Sequence, residues 1–139
     1  MNTVQKSLRL PKATAHEIER MAQETGRDFS AVTKDLLAES IKTRRCPGVV
    51  FADGVSGRRA KVAGSGIDVW EVVATYKSVE KDFKRLEMAY HWLTQQQLRS
   101  ALGYYFSYKK EIDELIDRNK SWTNESVIDR YPHLKGDGV

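Results

Sequence analysis

The feature that most constrains the fold is a short alternating segment at the amino terminus. Apolar and polar residues alternate over residues 4–10, and Pro11 ends the pattern. One face of the predicted strand carries Val4, Lys6, Leu8 and Leu10, and the other carries Thr3, Gln5, Ser7 and Arg9. No second strand is predicted nearby, and a lone strand leaves its backbone groups unpaired. We therefore expect this strand to pair with the same strand of a second copy of the chain.

Two short amphipathic helices are predicted to follow the strand. Gly26 ends the first helix, whose apolar stripe is Ala15, Ile18, Met21 and Ala22. Ser30 is predicted to cap the second helix, whose apolar residues are Phe29, Val32, Leu36, Leu37 and Ile41. A strand and two helices in about forty residues cannot enclose a core. Dimerisation is therefore the expected source of stability.

The second half is predicted to form a separate, mainly helical module. Residues 43–48 are basic, contain a Pro-Gly pair and lack periodicity, so they are interpreted as a linker. A β-hairpin is predicted over residues 49–63, and its second strand carries Arg58, Arg59 and Lys61. The turn between the strands is predicted at residues 53–57.

Capping patterns predict where the later helices begin. The capping residues and their partners are Asp68 with Glu71, Asp82, and Thr94 with Gln97. The apolar residues of these helices include Trp70, Val73, Tyr76, Leu86, Leu98, Ala101, Leu102, Tyr105, Ile112, Leu115 and Ile116. Short helices at these spacings predict a helix-turn-helix whose second helix begins at Thr94.

The positive charge is concentrated in the first half of the chain. Residues 1–62 contain 12 lysine and arginine residues against 7 aspartate and glutamate residues, whereas residues 63–139 contain 11 against 12. A basic excess in one half is expected where that half meets a polyanion such as nucleic acid. A solvated basic surface has the same composition, so charge alone does not decide between the two.

The first forty residues resemble the ribbon-helix-helix family of Arc, MetJ and CopG repressors. The resemblance rests on Leu8-Arg9-Leu10-Pro11, on the amphipathic helix that ends at Gly26-Arg27, and on Phe29-Ser30 before an apolar helix. It implies an intertwined dimer that binds operator DNA through the outward strand residues. Lys6 departs from the family pattern, because an apolar residue is usual at that inward position.

Residue chemistry supports specific DNA contacts on this ribbon. Of the outward residues, Arg9 suits guanine, Gln5 can pair with adenine and Ser7 tolerates several bases. Lys6 can lay its stem along the ribbon and reach a phosphate. The start of the second helix offers free backbone N–H groups to the DNA backbone at Phe29, Ser30 and Ala31.

The second half resembles a domain of unknown function found in VapB-type antitoxins, which has a winged-helix-like fold. The matching stretches lie at residues 64–70, 90–94 and 98–105 within a match of roughly residues 47–115, and His91 stands where that family usually has proline. This resemblance implies an antitoxin that represses its own operon and holds a toxin, commonly a PIN-type ribonuclease.

Two further surfaces are candidate contacts of the second half. The helix after Thr94 presents Gln96, Arg99 and Ser100, which together with Arg58, Arg59 and Lys61 of the hairpin can form a second DNA contact; a solvated surface is the alternative. A partner protein can be held by the tail through Trp122, Val127, Ile128, Tyr131 and Leu134. These tail residues can instead pack onto the second module.

An enzyme, a metal site and a cofactor are not predicted. Cys46 has basic neighbours but no histidine near it in sequence, and His16, His91 and His133 have no metal-ligand spacing. The single cysteine gives no support for an oxidising compartment. The first residues lack the apolar stretch of a signal peptide, and no apolar run approaches the roughly 20 residues that span a bilayer. A cytoplasmic protein is therefore expected.

The sequence thus predicts a mainly α protein in three parts. Residues 1–45 are a β-α-α ribbon-helix-helix domain that forms a homodimer, residues 46–120 are a helix-turn-helix or winged-helix-like module with a small hairpin, and residues 121–139 are a tail. The favoured function is a DNA-binding antitoxin that autorepresses its operon and neutralises a toxin. A stand-alone regulator and a plasmid- or chromosome-organising protein are the alternative functions. A tetramer of paired dimers is the alternative oligomeric state.

Overall fold

The computed structural model describes residues 2–54 and 57–120, and it is mainly helical. Within these residues there are six α-helices and one two-stranded antiparallel sheet. The chain divides into two compact units, Met1–Arg44 and Arg45–Val139. None of the described helices combines the length and the apolar character needed to cross a membrane.

The first unit contains the two predicted helices. Helix α1 spans Lys12–Thr25 and helix α2 spans Phe29–Arg45. Gly26 follows α1 with a left-handed φ of 68°, which confirms its predicted place and favours glycine at this position. The interpretation of residues 43–45 as linker is wrong, because α2 continues through them.

The cap of α2 is Asp28 rather than the predicted Ser30. The Asp28 carboxylate accepts a hydrogen bond from the backbone N–H of Ala31 at 2.7 Å. Ser30 lies inside the first turn of the helix. Aspartate and serine are equally good capping residues, so the sequence pattern alone did not choose between them.

The strand predicted over residues 4–10 is not formed in the single chain. The structure assigns no regular secondary structure to residues 2–10. The physical reason is that a strand needs a second strand to take its backbone hydrogen bonds, and the described part of this unit provides none. Among its apolar side chains, Ile18 and Val32 are buried.

The second unit places a hairpin before four helices. Strand β1 spans Val49–Gly54 and pairs antiparallel with β2, which spans Gly57–Val62. The hairpin prediction is therefore confirmed, but Asp53, Gly54 and Gly57 of the predicted turn belong to the paired strands. The helices are α3 (Val69–Ser78), α4 (Phe83–Ala89), α5 (Gln95–Ser107) and α6 (Lys109–Asn119).

A contiguous core joins all of these elements. Helices α3 and α5 pack against each other and both contact α6 and strand β2, while α5 also contacts β1 and α3 also contacts α4. The side chains buried in this core include Val49, Ala60, Val62, Val69, Val72, Val73, Leu86, Leu98, Ala101, Leu102, Tyr104, Ile112 and Leu115. The second unit thus buries its own apolar surface, in contrast to the first.

The predicted N-cap residues are confirmed for all three helices, and two of the three make the expected side-chain bonds. Thr94 forms a complete capping box, since its hydroxyl accepts from the N–H of Gln97 and its own N–H donates to the Gln97 side chain. Asp82 accepts from the N–H groups at the start of α4. Asp68 precedes α3 but makes no capping bond, because Lys61 and the Trp70 indole N–H bind its carboxylate.

Tyr104 is a buried residue of α5 that was not among the apolar residues predicted for this helix, which were Leu98, Ala101, Leu102 and Tyr105. It is fully buried, and its hydroxyl donates to the carboxylate of Glu111 at 2.7–2.9 Å. Burial and then the bond to Glu111 raise the pKa of Tyr104. Tyr105, which the stripe did include, is only half-buried, and its hydroxyl donates to Asp113 at 2.9 Å.

Gly48 allows the chain before the hairpin to approach α5 closely. A Cβ atom at this position would lie 2.1 Å from the Ser100 hydroxyl oxygen and 2.5 Å from the Ser100 Cβ. The N–H of Ala63 donates a hydrogen bond to the carbonyl of Gly48, 3.0 Å long, and the Gln97 side chain on α5 donates to the carbonyl of Ala63 at 3.1 Å. The position requires glycine for space.

We expect Gly48→Ala to lower the free energy of unfolding by about 1–3 kcal/mol, because the added methyl group overpacks the contact with Ser100. Adding Ser100→Gly should recover most of the loss. Gly103→Ala, on α5 with open space around it, is the matched control and should not destabilise the protein. Denaturant unfolding measures all four proteins, and an unrescued double variant would contradict the contact.

Candidate nucleic-acid interface

The amino-terminal segment has exposed side chains from both faces of the alternating sequence pattern. Gln5, Ser7 and Arg9, which are predicted to read bases, are all exposed. So are Val4 and Leu8 on the opposite face, with 81% and 72% of their surface accessible. The segment therefore has polar groups available for a ligand and apolar groups available for a partner.

Helix α2 adds an apolar surface to the same unit. Leu37 is 58% exposed and Ile41 is 52% exposed. Their spacing places them on one side of the helix. The exposed large apolar residues of this unit, here called the unit 1 apolar surface, are Val4, Leu8, Met21, Phe29, Leu36, Leu37 and Ile41.

This surface is large relative to the core beneath it. Ile18 and Val32 are the buried apolar side chains described in residues 2–44, against seven large apolar side chains that are exposed. Fully burying one valine or leucine side chain is worth about 1.5–3 kcal/mol. A partner that covered the unit 1 apolar surface would therefore supply most of the hydrophobic stabilisation available to this unit.

The charges of the segment suit a polyanion. Residues 2–12 contain Lys6, Arg9 and Lys12 and no acidic residue. All three side chains are exposed. Lys6 lies on the apolar side of the alternating pattern, from which only its long stem allows the ammonium to reach a phosphate.

The start of α2 is less suited to phosphate than the sequence indicated. The Ala31 N–H is occupied by the Asp28 carboxylate, which also places a negative charge beside Phe29 and Ser30. Arg27, just before the cap, is paired with Asp35. The chain's own carboxylate thus stands where a DNA phosphate was predicted. Asp28 was the residue that sequence reasoning missed.

The cations of the hairpin already have carboxylate partners. Arg58 lies 3.4 Å from Asp53, and Lys61 is paired with Asp68. Burial, followed by the proximity of Asp68, raises the pKa of the Glu71 carboxyl. Arg59 is half-buried. These pairings reduce the charge that the hairpin offers to a phosphate.

The candidates on α5 do not share one open surface. Gln96 is exposed, whereas Ser100 is half-buried against Gly48. The Arg99 guanidinium lies over the Phe83 ring, 5.7 Å from its centre. The structure therefore keeps Gln96 and Ser100 on one side of α5 and turns Arg99 away from them toward Phe83.

The tail candidates Trp122, Val127, Ile128, Tyr131 and Leu134 lie outside the described residues. Within residues 2–54 and 57–120, no group of three or more histidine, cysteine, aspartate or glutamate side chains is arranged to hold a metal ion.

Comparison of this chain with protein-family models, with curated proteins and with solved structures gives no match.

Proposed function

We propose that this protein is a homodimeric, sequence-specific DNA-binding protein. The observation that carries the proposal is the exposure of Val4 and Leu8 opposite Gln5, Ser7 and Arg9 on one unpaired segment. In the proposed dimer, the segments of two copies pair antiparallel. The apolar sides of the segments, with Val4 and Leu8, cover the rest of the unit 1 apolar surface. Each chain thereby satisfies the backbone groups that the other leaves open.

The proposed ribbon enters the major groove of DNA. A two-stranded ribbon fits this groove, where each base pair presents a distinct pattern of donors and acceptors. Antiparallel pairing turns Gln5, Ser7 and Arg9 of both copies toward the base edges. Lys6 and Lys12 add attraction to the backbone that does not depend on sequence. Because Asp28 occupies the start of α2, the contacts with the DNA backbone are assigned to Lys6 and Lys12 rather than to the N–H groups of that helix.

The dimer is tested at Leu37, which is exposed on α2. We expect the wild-type protein to sediment at twice its chain mass and Leu37→Glu to sediment as a monomer, because the substitution puts a charge into the covered surface. Met88→Glu is the matched control, since Met88 is exposed on the second unit. A monomeric wild type, or a Leu37→Glu variant that stays dimeric, would refute the proposed interface.

Base reading is tested at Arg9 on a duplex selected from a random library. Arg9→Ala should weaken binding to the selected duplex by about 1–3 kcal/mol per contacted base and relax selection at that position. Arg20→Ala removes the same charge from an exposed position on α1 and should change selectivity little. Fluorescence anisotropy measures both variants. Equal losses on selected and random duplexes would show that Arg9 contacts only phosphate.

We further propose that the protein is an antitoxin, with the second unit or the tail holding a toxin. The support is the resemblance of residues 47–115 together with exposed Met88, Trp92 and Phe106 on the second unit, where Trp92 is 59% accessible. Exposed tryptophan is a common anchor of protein interfaces. A stand-alone regulator is the alternative if no protein partner exists.

Copurification from the native host through an amino-terminal tag distinguishes these functions. A stoichiometric small protein encoded in the same operon is expected for an antitoxin, whereas DNA alone would favour a stand-alone regulator. Deleting residues 121–139 should abolish capture of that protein and leave DNA affinity unchanged. Full capture by the truncated chain would move the toxin site to the second unit.

A further inference from the structure

A pocket of about 280 Å³ lies within the second unit, between residues 45–48 and α5. The α5 side of the pocket is formed by Gln96, Ser100, Gly103 and Ser107. These residues follow one another at intervals of four, three and four, so they form a single stripe along the helix. The buried Tyr104 lies at the same wall.

Three exposed hydrogen-bond donors that line this pocket have no partner among the described residues. The side chains of Arg45, Gln96 and Ser107 have no hydrogen bond or ion pair with the other described residues. Each of them can donate to an oxygen atom, and the guanidinium can donate twice to one carboxylate or phosphate. None of the nine residues that line the pocket is acidic.

Gly103 leaves the space in front of this wall open. No atom lies within 4 Å of the place where its Cβ would be. A glycine inside a helix costs about 1 kcal/mol relative to alanine, and no packing neighbour in the described structure accounts for it. The missing side chain instead enlarges the pocket between the donor groups.

We propose that this pocket binds a small molecule that carries a carboxylate or phosphate group, with the anionic oxygens on Arg45. The basic side chain, the neutral donors and the absence of acidic lining residues together select an oxyanion. The volume is slightly below the usual range for ligand pockets, which suits a small metabolite. This site is separate from the proposed DNA-reading ribbon and does not depend on it.

The chain carries its own reporter for the site, because Cys46 is its single cysteine and lines the pocket. Iodoacetate and iodoacetamide both alkylate a thiolate, whose sulfur displaces iodide in the same way, but only iodoacetate carries a carboxylate. The rate of Cys46 alkylation by iodoacetate is divided by its rate with iodoacetamide, and this ratio is divided by the same ratio for glutathione. The result measures the preference of the pocket for an anion.

We expect the normalised ratio, iodoacetate rate over iodoacetamide rate, to be about five. This is the effect of the attraction between two opposite unit charges roughly 4 Å apart in water. Arg45→Gln should remove the preference. Arg44→Gln removes the same charge from the adjacent residue, which does not line the pocket, and should preserve it. A ratio near one in the wild type, or equal effects of the two variants, would overturn the proposal.

A competition experiment identifies the source of the anion. Inorganic phosphate should slow the alkylation of Cys46 by iodoacetamide relative to chloride at equal ionic strength, and Gly103→Leu should abolish this protection by filling the pocket. Unfolding curves confirm that each variant is folded. If a random DNA duplex protects Cys46 while inorganic phosphate does not, the surface is a DNA-backbone contact and the small-molecule proposal is wrong.

Discussion

The second unit depends on a core in which one face of α5 is buried together with α3. Leu98, Ala101, Leu102 and Tyr104 are buried there, and the hairpin, α3 and α6 pack around this helix. Because one helix face is fixed against the core, the opposite stripe at Gln96, Ser100, Gly103 and Ser107 is fixed in place beside residues 45–48. The same packing that stabilises the unit therefore shapes the pocket that we assign to an oxyanion.

The first unit has the opposite balance of core and surface. Its helices bury Ile18 and Val32, while Leu37 and Ile41 on α2 stay exposed. Val4 and Leu8 of the amino-terminal segment are exposed as well. Such a unit gains stability by sharing its apolar surface with another chain, and an antiparallel pair of segments is the geometry that also satisfies the backbone. In the proposed DNA-binding dimer, folding and the assembly of the reading surface are then the same event.

Acidic side chains decide which basic groups are available in both units. Asp28 occupies the start of α2, Asp68 holds Lys61, and Asp53 lies beside Arg58. The exposed cations of residues 2–12 have no acidic neighbour within that segment. In the proposed DNA complex, electrostatic attraction therefore favours the amino-terminal segment over the hairpin, although both contain lysine and arginine.

The sequence by itself determined the features that depend on local rules. Helix periodicity, the turn at Gly26 and the capping box at Thr94 are set by neighbouring residues, and the structure has them. Tertiary structure alone decided which of two acceptable residues capped a helix and which of two adjacent tyrosines was buried. Asp28 took the cap expected of Ser30, Asp68 was diverted to Lys61 and Trp70, and Tyr104 entered the core ahead of Tyr105. The physical reason is that these choices depend on groups brought together by packing, which the spacing of residues along one helix does not specify.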